Sequence, residues 1–206
     1  RLKMKYINSW KNKEVFKDQL TLNEKELNDY PPHWKHFLYA VNEAVGSRRA
    51  TILDVGCGAG VYKELCKTHL PNVQYTGMDY SSEAIEVAQE KWGRGFWKVG
   101  SYESLTSEDS KIYSILHAGA MLDVLPNGDE ALEFLLSLGF SNIILGRCKL
   151  TEEKSHFSEY QVYNKIQTYA YSHNIQNFFR MVDEAKYSVL LQGEQNSCTI
   201  LLQKLQ

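Results

Sequence analysis

The stretch TILDVGCGAG, from Thr51 to Gly60, constrains the fold of this chain more than any other feature. A short apolar run with one internal acid predicts a buried strand of a parallel sheet, and Gly56, Gly58 and Gly60 follow it at alternate positions. Glycine lets the backbone turn sharply and approach a ligand closely. The next segment, 61–70, has helical character and offers the unpaired N–H groups of a helix N-terminus. The stretch therefore predicts a strand, a turn and a helix that together bind a nucleotide-like cofactor.

The spacing of the glycines narrows the class of cofactor. The dinucleotide-binding pattern is GxGxxG, whereas this turn is GxGxG and has Val61 where the last glycine would fall. No GK[ST] is present, which excludes a P-loop. A second predicted strand, 73–80, carries Asp79 near its end, where a carboxylate can accept both hydroxyls of an adenosine ribose. A Rossmann-type fold that binds NAD, or no cofactor, is the alternative.

Strands and helices alternate along the chain, which is the signature of a parallel sheet with helices on both faces. The predicted strands are 51–55, 73–80, 96–101, 112–118 and 142–148, and the predicted helices are 33–45, 61–70, a segment after Ser81-Ser82, 129–138 and 174–185. Two final strands, 187–192 and 197–205, flank the turn GEQN and predict an antiparallel hairpin. We expect one domain, in which residues 1–49 form a helical cap and residues 50–206 form the α/β core.

Composition limits the partners and the compartment. The chain has 206 residues, of which 43% are hydrophobic, and a net charge of −2 without a basic stripe, so one globular domain is expected and nucleic acid and membranes are not expected partners. No apolar run is long enough for a transmembrane helix, and no signal peptide is recognised. The four cysteines are far apart, which predicts reduced thiols in a cytoplasmic protein. No Met opens the chain, which is compatible with a domain cut from a longer polypeptide or with a trimmed chain.

The segments LDVGCGAG and GMDYSSEAIEVAQ together resemble the class I S-adenosylmethionine (SAM) dependent methyltransferases, and the resemblance extends from about Ala50 to Gln206. It implies a Rossmann-like α/β fold with a seven-stranded, mostly parallel sheet, an antiparallel last strand and helices on both faces. It also implies SAM as the cofactor, with S-adenosylhomocysteine (SAH) as its product. Ligands of such sheets bind at the carboxyl ends of the strands.

The resemblance also implies which residues bind the cofactor. We expect Asp79 to bind the ribose and Tyr80 to lie beside the adenine. Ser101 stands where the family usually has an acid for the adenine amino group, so the backbone of Ser101 and Tyr102 is expected to take that role. The expected cofactor-binding residues are Asp54, Gly56, Cys57, Gly58, Gly60, Asp79, Tyr80, Ser101, Tyr102, Ala118 and Gly119.

Methyl transfer to a hydroxyl requires alignment of the acceptor with the S–CH3 bond and a general base for its proton. The run Leu122-Asp123-Val124-Leu125-Pro126 resembles the region after strand four where several O-methyltransferases carry a catalytic histidine, so Asp123 is the expected base. The alternative is that Asp123 caps the following loop or helix. His117 is the rival base, because a histidine titrates near neutral pH, and a structural or cofactor-lining role is its alternative.

The region after the fifth strand is expected to bind the acceptor. Tyrosines such as Tyr160 are interspersed there with polar residues, which suits a sugar because tyrosine offers a flat apolar face and a hydroxyl. Packing is the alternative. His156 and His173 are further candidates, with capping or exposure to solvent as alternatives. Arg147 and Lys149 are instead placed to pair with an acceptor carboxylate or phosphate.

The sequence therefore favours a SAM-dependent methyltransferase that acts on a hydroxyl of a small or glycan acceptor, preferably a sugar. Some small methyltransferases with this arrangement accompany glycosyltransferases or are fused to them, including in large viruses, and we expect such a setting here. The alternatives are a methyltransferase for a small carboxylic acid or amine, and an inactive SAM-binding module that acts through its N-terminal helices. No metal ligands are assigned: Asp123 and Asp129 could contribute to a Mg²⁺ site, but the sequence shows no third ligand, and the need for a divalent metal stays open.

Overall fold

Two helices precede the central sheet. A computed structural model describes residues 9–163 and 166–205, so the first eight residues of the expected helical cap lie outside the described part. Helix α1 (Lys13–Glu26) begins after Asn12, whose side chain accepts the N–H of Glu14 at 3.0 Å. Helix α2 (Pro32–Val45) has proline in its first turn, where a missing N–H costs nothing, and ends at Gly46.

The central sheet has seven strands in the order β3-β2-β1-β4-β5-β10-β9. The pairs from β3 to β5 are parallel, and β10 lies antiparallel between β5 and β9. This arrangement confirms the predicted fold class, including the antiparallel last strand. The strands are β1 (Ala50–Val55), β2 (Val73–Asp79), β3 (Trp97–Val99), β4 (Ile115–Ala118), β5 (Asn142–Cys148), β9 (Tyr187–Glu194) and β10 (Ser197–Lys204).

Helices cover both faces of this sheet because alternate strand residues point to opposite sides. Ile52 in β1 packs in a cluster with Trp34 and Phe37 of α2, on the face that α3 also covers. Leu53 packs on the other face in a cluster with Leu132 of α6. The remaining helices are α3 (Val61–His69), α4 (Ser82–Trp92), α5 (Asp109–Ile112), α6 (Gly128–Ser137) and α7 (Ile175–Glu184).

The start of the fourth strand differs from the sequence prediction. Residues 112–114 were expected to be extended, but Ile112 ends the short helix α5 and β4 begins at Ile115. The reason is local, since the carboxylate of Asp109 accepts the N–H of Thr106 at 2.9 Å and sets up a helical turn. The third strand is likewise shorter than the predicted 96–101.

A second sheet, which the sequence analysis assigned to no element, follows β5. It has the order β6-β8-β7 and consists of β6 (Leu150–Thr151), β7 (His156–Val162) and β8 (Ile166–Asn174). Strand β8 packs against a 3-10 turn, Leu122–Val124, that follows β4. Asp129 at the start of α6 ties the sheet to the core, because it pairs with Nδ1 of His173 at 2.6 Å. The small sheet thereby covers the carboxyl edge of β4 and β5.

Two general expectations concern the described residues as a whole. The four cysteines, at positions 57, 66, 148 and 198, are buried and free, as predicted. Within residues 9–163 and 166–205, no helix combines the length and the apolar character that crossing a membrane requires.

Candidate active site

A cavity of ≈ 440 Å³ opens at the carboxyl ends of the parallel strands, within the usual size range of ligand pockets, about 300–1,000 Å³. A smaller cavity of ≈ 100 Å³ lies beside the glycine turn, and several residues line both this cavity and the larger one. Of the expected site residues, the larger cavity is lined by Gly56, Gly58, Asp79, Tyr80, Ser101, Tyr102, Asp123, Arg147 and Tyr160. The smaller cavity is lined by Asp54, Gly56, Cys57, Gly119 and Arg147.

The glycine turn joins β1 to α3 in the expected conformation. Gly56, Gly58 and Gly60 have φ angles of 74°, 53° and 81°, which L side chains rarely adopt. A Cβ on Gly58 would lie 2.4 Å from Oε1 of Gln19, and the same oxygen accepts the N–H of Ala59 at 2.8 Å. Helix α1 therefore reaches the turn through Gln19, a residue that the sequence analysis did not identify because no motif covers the N-terminal region.

Gly60 lies where the turn packs against β3 and α4, and its expected contact with the cofactor stays a prediction. A Cβ at this position would lie 2.4 Å from Cη2 of Trp97 and 3.0 Å from the Cβ of Ala88. Gly60 lines neither cavity among the described residues. Its lack of a side chain lets β3 and α4 pack closely against the turn. Ala118, which was also expected at the cofactor, is buried within β4 and lines neither of these cavities.

Asp79 connects the end of β2 to the glycine turn. Its Oδ2 accepts the N–H of Gly58 at 3.0 Å and its Oδ1 accepts the N–H of Ser81 at 2.9 Å. Burial raises the pKa of Asp79 to about 6, so the carboxylate is mostly ionised at neutral pH. A carboxylate has about four lone-pair positions, so acceptor capacity remains for ribose hydroxyls in the cavity.

A carboxylate lines the larger cavity two positions after Ser101, which stands where the resembled family usually has an acid for the adenine. The Oγ of Ser101 accepts the N–H of Glu103 at 3.4 Å and begins a 3-10 turn, Tyr102–Ser104. This turn brings Glu103 to the cavity wall. Comparison residue by residue did not single out Glu103, because this acid lies two positions after the one compared.

Asp54 and His117 form a buried pair beneath the turn. Oδ1 of Asp54 lies 2.7 Å from Nδ1 of His117, and the hydroxyl of Tyr75 donates to Oδ2 at 2.6 Å. The rings of Phe37 and Tyr62 each lie 4.5 Å from the His117 ring, centroid to centroid. His117 lines neither cavity in the described part of the chain, so its position supports the structural alternative over the expected place at the methyl site.

Asp123 lies in the 3-10 turn after β4 and lines the larger cavity. The side chain is 5% exposed, and its Oδ1 has no hydrogen-bond partner among the described residues. Burial raises the pKa of Asp123 to about 6, against an opposing effect of the Arg147 guanidinium. Helix α6 begins after Asn127, so Asp123 does not cap it. A buried carboxylate oxygen without a partner, at a cavity wall, has the properties expected of a general base.

Strand β5 and the β7–β8 hairpin form the side of the cavity where the acceptor is expected. Arg147 and Tyr160 line the cavity there, together with Tyr163. His156 and His173 do not reach it within the described residues. His156 is exposed and its Nδ1 lies 2.9 Å from the carbonyl oxygen of Lys154, whereas His173 is fully buried against Asp129. These two histidines are thus placed by local bonding away from the cavity.

The oxygens of Asp129 are occupied by other side chains. Oδ1 pairs with His173, and Oδ2 accepts from the amide of Asn177 at 3.1 Å. In the part of the chain that the structure describes, no three metal-ligating side chains of the His, Cys, Asp or Glu type come together.

Comparisons with known proteins agree with this geometry. Residues 52–137, less than half of the chain, match a family model described as a methyltransferase domain. This match spans the glycine turn, Asp79 and Asp123. No curated protein matches the sequence significantly.

Several solved structures share the fold. Magnesium protoporphyrin IX methyltransferase from Synechocystis, solved with bound SAM, is 13% identical over 92% of this chain and 84% of that one, with a TM-score of 0.58. A SAM-dependent methyltransferase structure from Methanosarcina mazei is 16% identical over 80% of this chain and 96% of that one, with a TM-score of 0.60. The N-terminal domain of EvdMO1, crystallised with SAH and D-fucose, is 15% identical over 84% and 82%, with a TM-score of 0.58. At these identities the likeness is one of fold.

Proposed function

We propose that this protein is a class I SAM-dependent methyltransferase that methylates a hydroxyl of a small or glycan acceptor, with a sugar as the preferred class. One observation carries the proposal: the glycine turn, the buried Asp79 and Asp123, whose buried Oδ1 has no partner among the described residues, all line one cavity. The methyltransferase-domain match and the shared fold support the class of enzyme and its cofactor.

The residues present fit SAM. Asp79 would accept hydrogen bonds from the ribose, and Glu103 and Tyr80 would border the adenine. Gly56 and Gly58 would leave room for the methionine part beside the backbone. When bound, SAM supplies an electrophilic methyl group on a positively charged sulfur.

Asp123 acts as the general base in this proposal. Its carboxylate is ionised above a pH of about 6, and its free Oδ1 accepts the proton of the acceptor hydroxyl as the new C–O bond forms. Burial makes this carboxylate more basic than a solvent-exposed aspartate, because its negative charge is less well solvated. His117 supports the site from below by holding Asp54.

The tyrosines of the acceptor side favour a polyhydroxylated acceptor. Burial raises the pKa of Tyr160 and of Tyr163, so both phenols stay protonated and can donate and accept hydrogen bonds. Their rings offer apolar faces to a sugar ring. The N-terminal domain of EvdMO1, which shares this fold, was crystallised in the presence of SAH and D-fucose, which supports the choice of a sugar acceptor. We also propose a cytoplasmic setting and an association with glycosyltransferase domains, which would supply such acceptors.

The alternative functions make different demands on Asp123. A carboxylate acceptor needs no base and would be repelled by a second carboxylate, whereas an amine also needs deprotonation. An inactive SAM-binding module would have no use for a buried carboxylate oxygen without a partner, which is costly to keep. A hydroxyl acceptor accounts for Asp123 best.

The proposal is tested by incubating the protein with methyl-labelled SAM and a panel of sugars, carboxylic acids and amines, followed by mass spectrometry. We expect methyl ethers, formed by the wild type and strongly reduced in Asp123→Asn. Exclusive formation of methyl esters or methylamines would replace the hydroxyl acceptor by one of the alternatives. Binding of SAH without transfer to any compound would favour the inactive module.

A further inference from the structure

Arg147 is held in an unusual position at the end of β5. Its φ angle is 58°, in the left-handed region that non-glycine residues adopt mainly where the surrounding structure imposes it. The pairing of β5 with β10 explains the constraint, because the register shifts between the pairs Cys148–Cys198 and Leu145–Ile200 and leaves one extra residue on β5 at this point. Such a bulge changes the direction in which a side chain leaves its strand, and it sets the direction of Arg147.

The guanidinium of Arg147 is not bound by any other described side chain or backbone group. Among residues 9–163 and 166–205 it has no hydrogen-bond or ion-pair partner. Arg48 and Arg180, in contrast, bond to carbonyl oxygens at the end of α2 and to the carboxylate of Glu184. Arg147 lines both cavities, so its five N–H donors are available to a ligand.

The neighbours of Arg147 belong to the acceptor side. Burial raises the pKa of Asp123, Tyr160 and Tyr163. The positive charge of Arg147 acts in the opposite direction on each of these three pKa values. These four side chains therefore surround one space. Asp123 is more than nine-tenths buried, its Oδ1 lacks a partner among the described residues, and it lines the same cavity as Arg147.

We propose that Arg147 binds a carboxylate of the acceptor, so that the acceptor is a hydroxylated carboxylic acid of the sugar-acid type. This inference rests on the proposed function and specifies its substrate class. A planar guanidinium matches a carboxylate in a bidentate manner, and one guanidinium balances one negative charge. A phosphate carries nearly two charges at neutral pH; a sugar phosphate is therefore the competing anion that the experiment includes.

The carboxylate serves as an anchor and is not the methylated group. The acceptor hydroxyl gives its proton to Asp123, its oxygen forms the new bond to the methyl carbon, and the C–S bond breaks with its electron pair left on sulfur. The products are a methyl ether acid, SAH and protonated Asp123. The anchored carboxylate also neutralises Arg147, which removes an influence that lowers the pKa of the base.

Matched acceptors test this anchor. The protein is assayed with SAM and with glucuronate against glucose, galacturonate against galactose, and glucose 6-phosphate. We expect methylation of at least one sugar acid, with kcat/KM about tenfold or more above that of its neutral partner, a ratio typical of one lost charge-assisted hydrogen bond. The product should resist alkaline hydrolysis, because an ether resists it and a methyl ester does not.

Substitutions of Arg147 distinguish its proposed role as the carboxylate anchor from the role of Asp123 as the base. Arg147→Gln should raise KM for the acid roughly 10- to 100-fold and change kcat much less, since the base is intact. Arg147→Lys keeps the charge without the planar fork and should recover part of the loss. Gln and Lys must adopt the same positive φ angle at position 147 as arginine does. Comparison of the unfolding midpoints shows whether each variant folds as stably as the wild type. Arg94→Gln removes an exposed charge from the loop after α4 and should behave like the wild type.

Several outcomes would overturn the anchor. Equal or better use of neutral sugars, preference for glucose 6-phosphate, a methyl ester product, or no methylation of any acid would each contradict it. If Arg147→Gln weakens SAH binding as much as it raises KM, Arg147 serves the cofactor carboxylate instead. Methylation of neutral sugars alone would contradict the carboxylate anchor and agree with the proposed function. Binding of SAH without methylation of any hydroxyl would contradict both the anchor and the proposed function.

Discussion

His117 and Asp54 face each other directly across the neighbouring strands β4 and β1, with Nδ1 and Oδ1 only 2.7 Å apart. Both side chains are about 1% exposed, and Tyr75 donates to the second carboxylate oxygen. The acid that precedes the glycine turn is therefore satisfied inside the core. This pairing explains how an apolar strand can carry a carboxylate, since buried polar groups must find partners.

We expect His117→Ala to act mainly on stability. The substitution leaves Oδ1 of Asp54 buried without its partner, and breaking a buried pair costs about 3–5 kcal/mol. Urea unfolding should show this loss, whereas His156→Ala, at an exposed position, should stay within about 0.5 kcal/mol of the wild type. A His117→Ala protein of unchanged stability that binds SAH and has no turnover would instead identify His117 as the base.

Asp79→Ala should weaken binding of SAM and SAH. The variant lacks the carboxylate proposed for the ribose and also frees the N–H groups of Gly58 and Ser81. We expect a loss of about 1.5–3 kcal/mol in calorimetry, the usual range for hydrogen bonds to a charged group. The wild type should not bind NAD. Unchanged SAH affinity in Asp79→Ala, or tight NAD binding by the wild type, would show that the ribose lies elsewhere.

Asp123→Asn should slow transfer without weakening the cofactor. The amide keeps the shape of the side chain but cannot take a proton, so kcat should fall by about 10²–10⁴-fold while SAH affinity stays nearly unchanged. The wild-type kcat/KM should fall as the pH drops below about 6, because Asp123 must be ionised to act as the base. The variant should lose this dependence. A variant with wild-type turnover would indicate catalysis by positioning alone.

The same substitution should stabilise the ligand-free protein near neutral pH. The folded-state pKa of Asp123, about 6, is above the ordinary value of 3.8, so the folded state binds the proton more tightly than the unfolded state. The free energy of unfolding that this tighter proton binding contributes is therefore fully present below pH 4 and is lost as the pH rises through 6. We expect Asp123→Asn to be about 1–3 kcal/mol more stable than the wild type at pH 7.5 and to show no advantage at pH 4. An advantage that does not depend on pH would assign the effect to packing.

Gly58 and Gly60 should differ in their response to alanine. At Gly58 the new Cβ meets the end of the flexible Gln19 side chain, so Gly58→Ala should fold at a cost of about 1–2 kcal/mol from its positive φ angle. It should nevertheless lose much of the thermal stabilisation by SAH, because the cofactor needs the bare backbone. At Gly60 the Cβ meets the Trp97 ring and Ala88, so Gly60→Ala should be the less stable protein. Full stabilisation of Gly58→Ala by SAH would place the cofactor away from the turn.

The parts of the fold that depend on local chemistry could be predicted from the sequence. The segment from β1 through α3 to β2 is set by apolar strand residues, glycines with positive φ angles and an acid at a strand end, and its bounds agree closely with the prediction. The final hairpin was predictable for the same reason, since a short turn joins two runs of strand-forming residues.

The β7–β8 hairpin could not be predicted in this way. Most residues of β7 are exposed and polar, so no apolar period marks the strand. What holds the hairpin is contact with the turn around Asp123 and the pair between His173 and Asp129, and neither is visible until the chain is folded. The same limit applies to Gln19, which reaches the glycine turn from a helix forty residues earlier. Glu103 can be seen in the sequence, but it lies two positions after Ser101, the residue that was compared with the usual acid.

Helix α1 forms one wall of the larger cavity through Phe16 and Gln19 and is attached to α4 by ion pairs at the surface. Lys13 lies 3.2 Å from Glu86 and 2.7 Å from Glu90, and Lys91 pairs with Glu24. Such exposed pairs are weakened by salt, because dissolved ions screen them. In the proposed function bound SAH would lie beneath α1, so we expect its rate of dissociation to rise with ionic strength, which stopped-flow measurements at two salt concentrations would test.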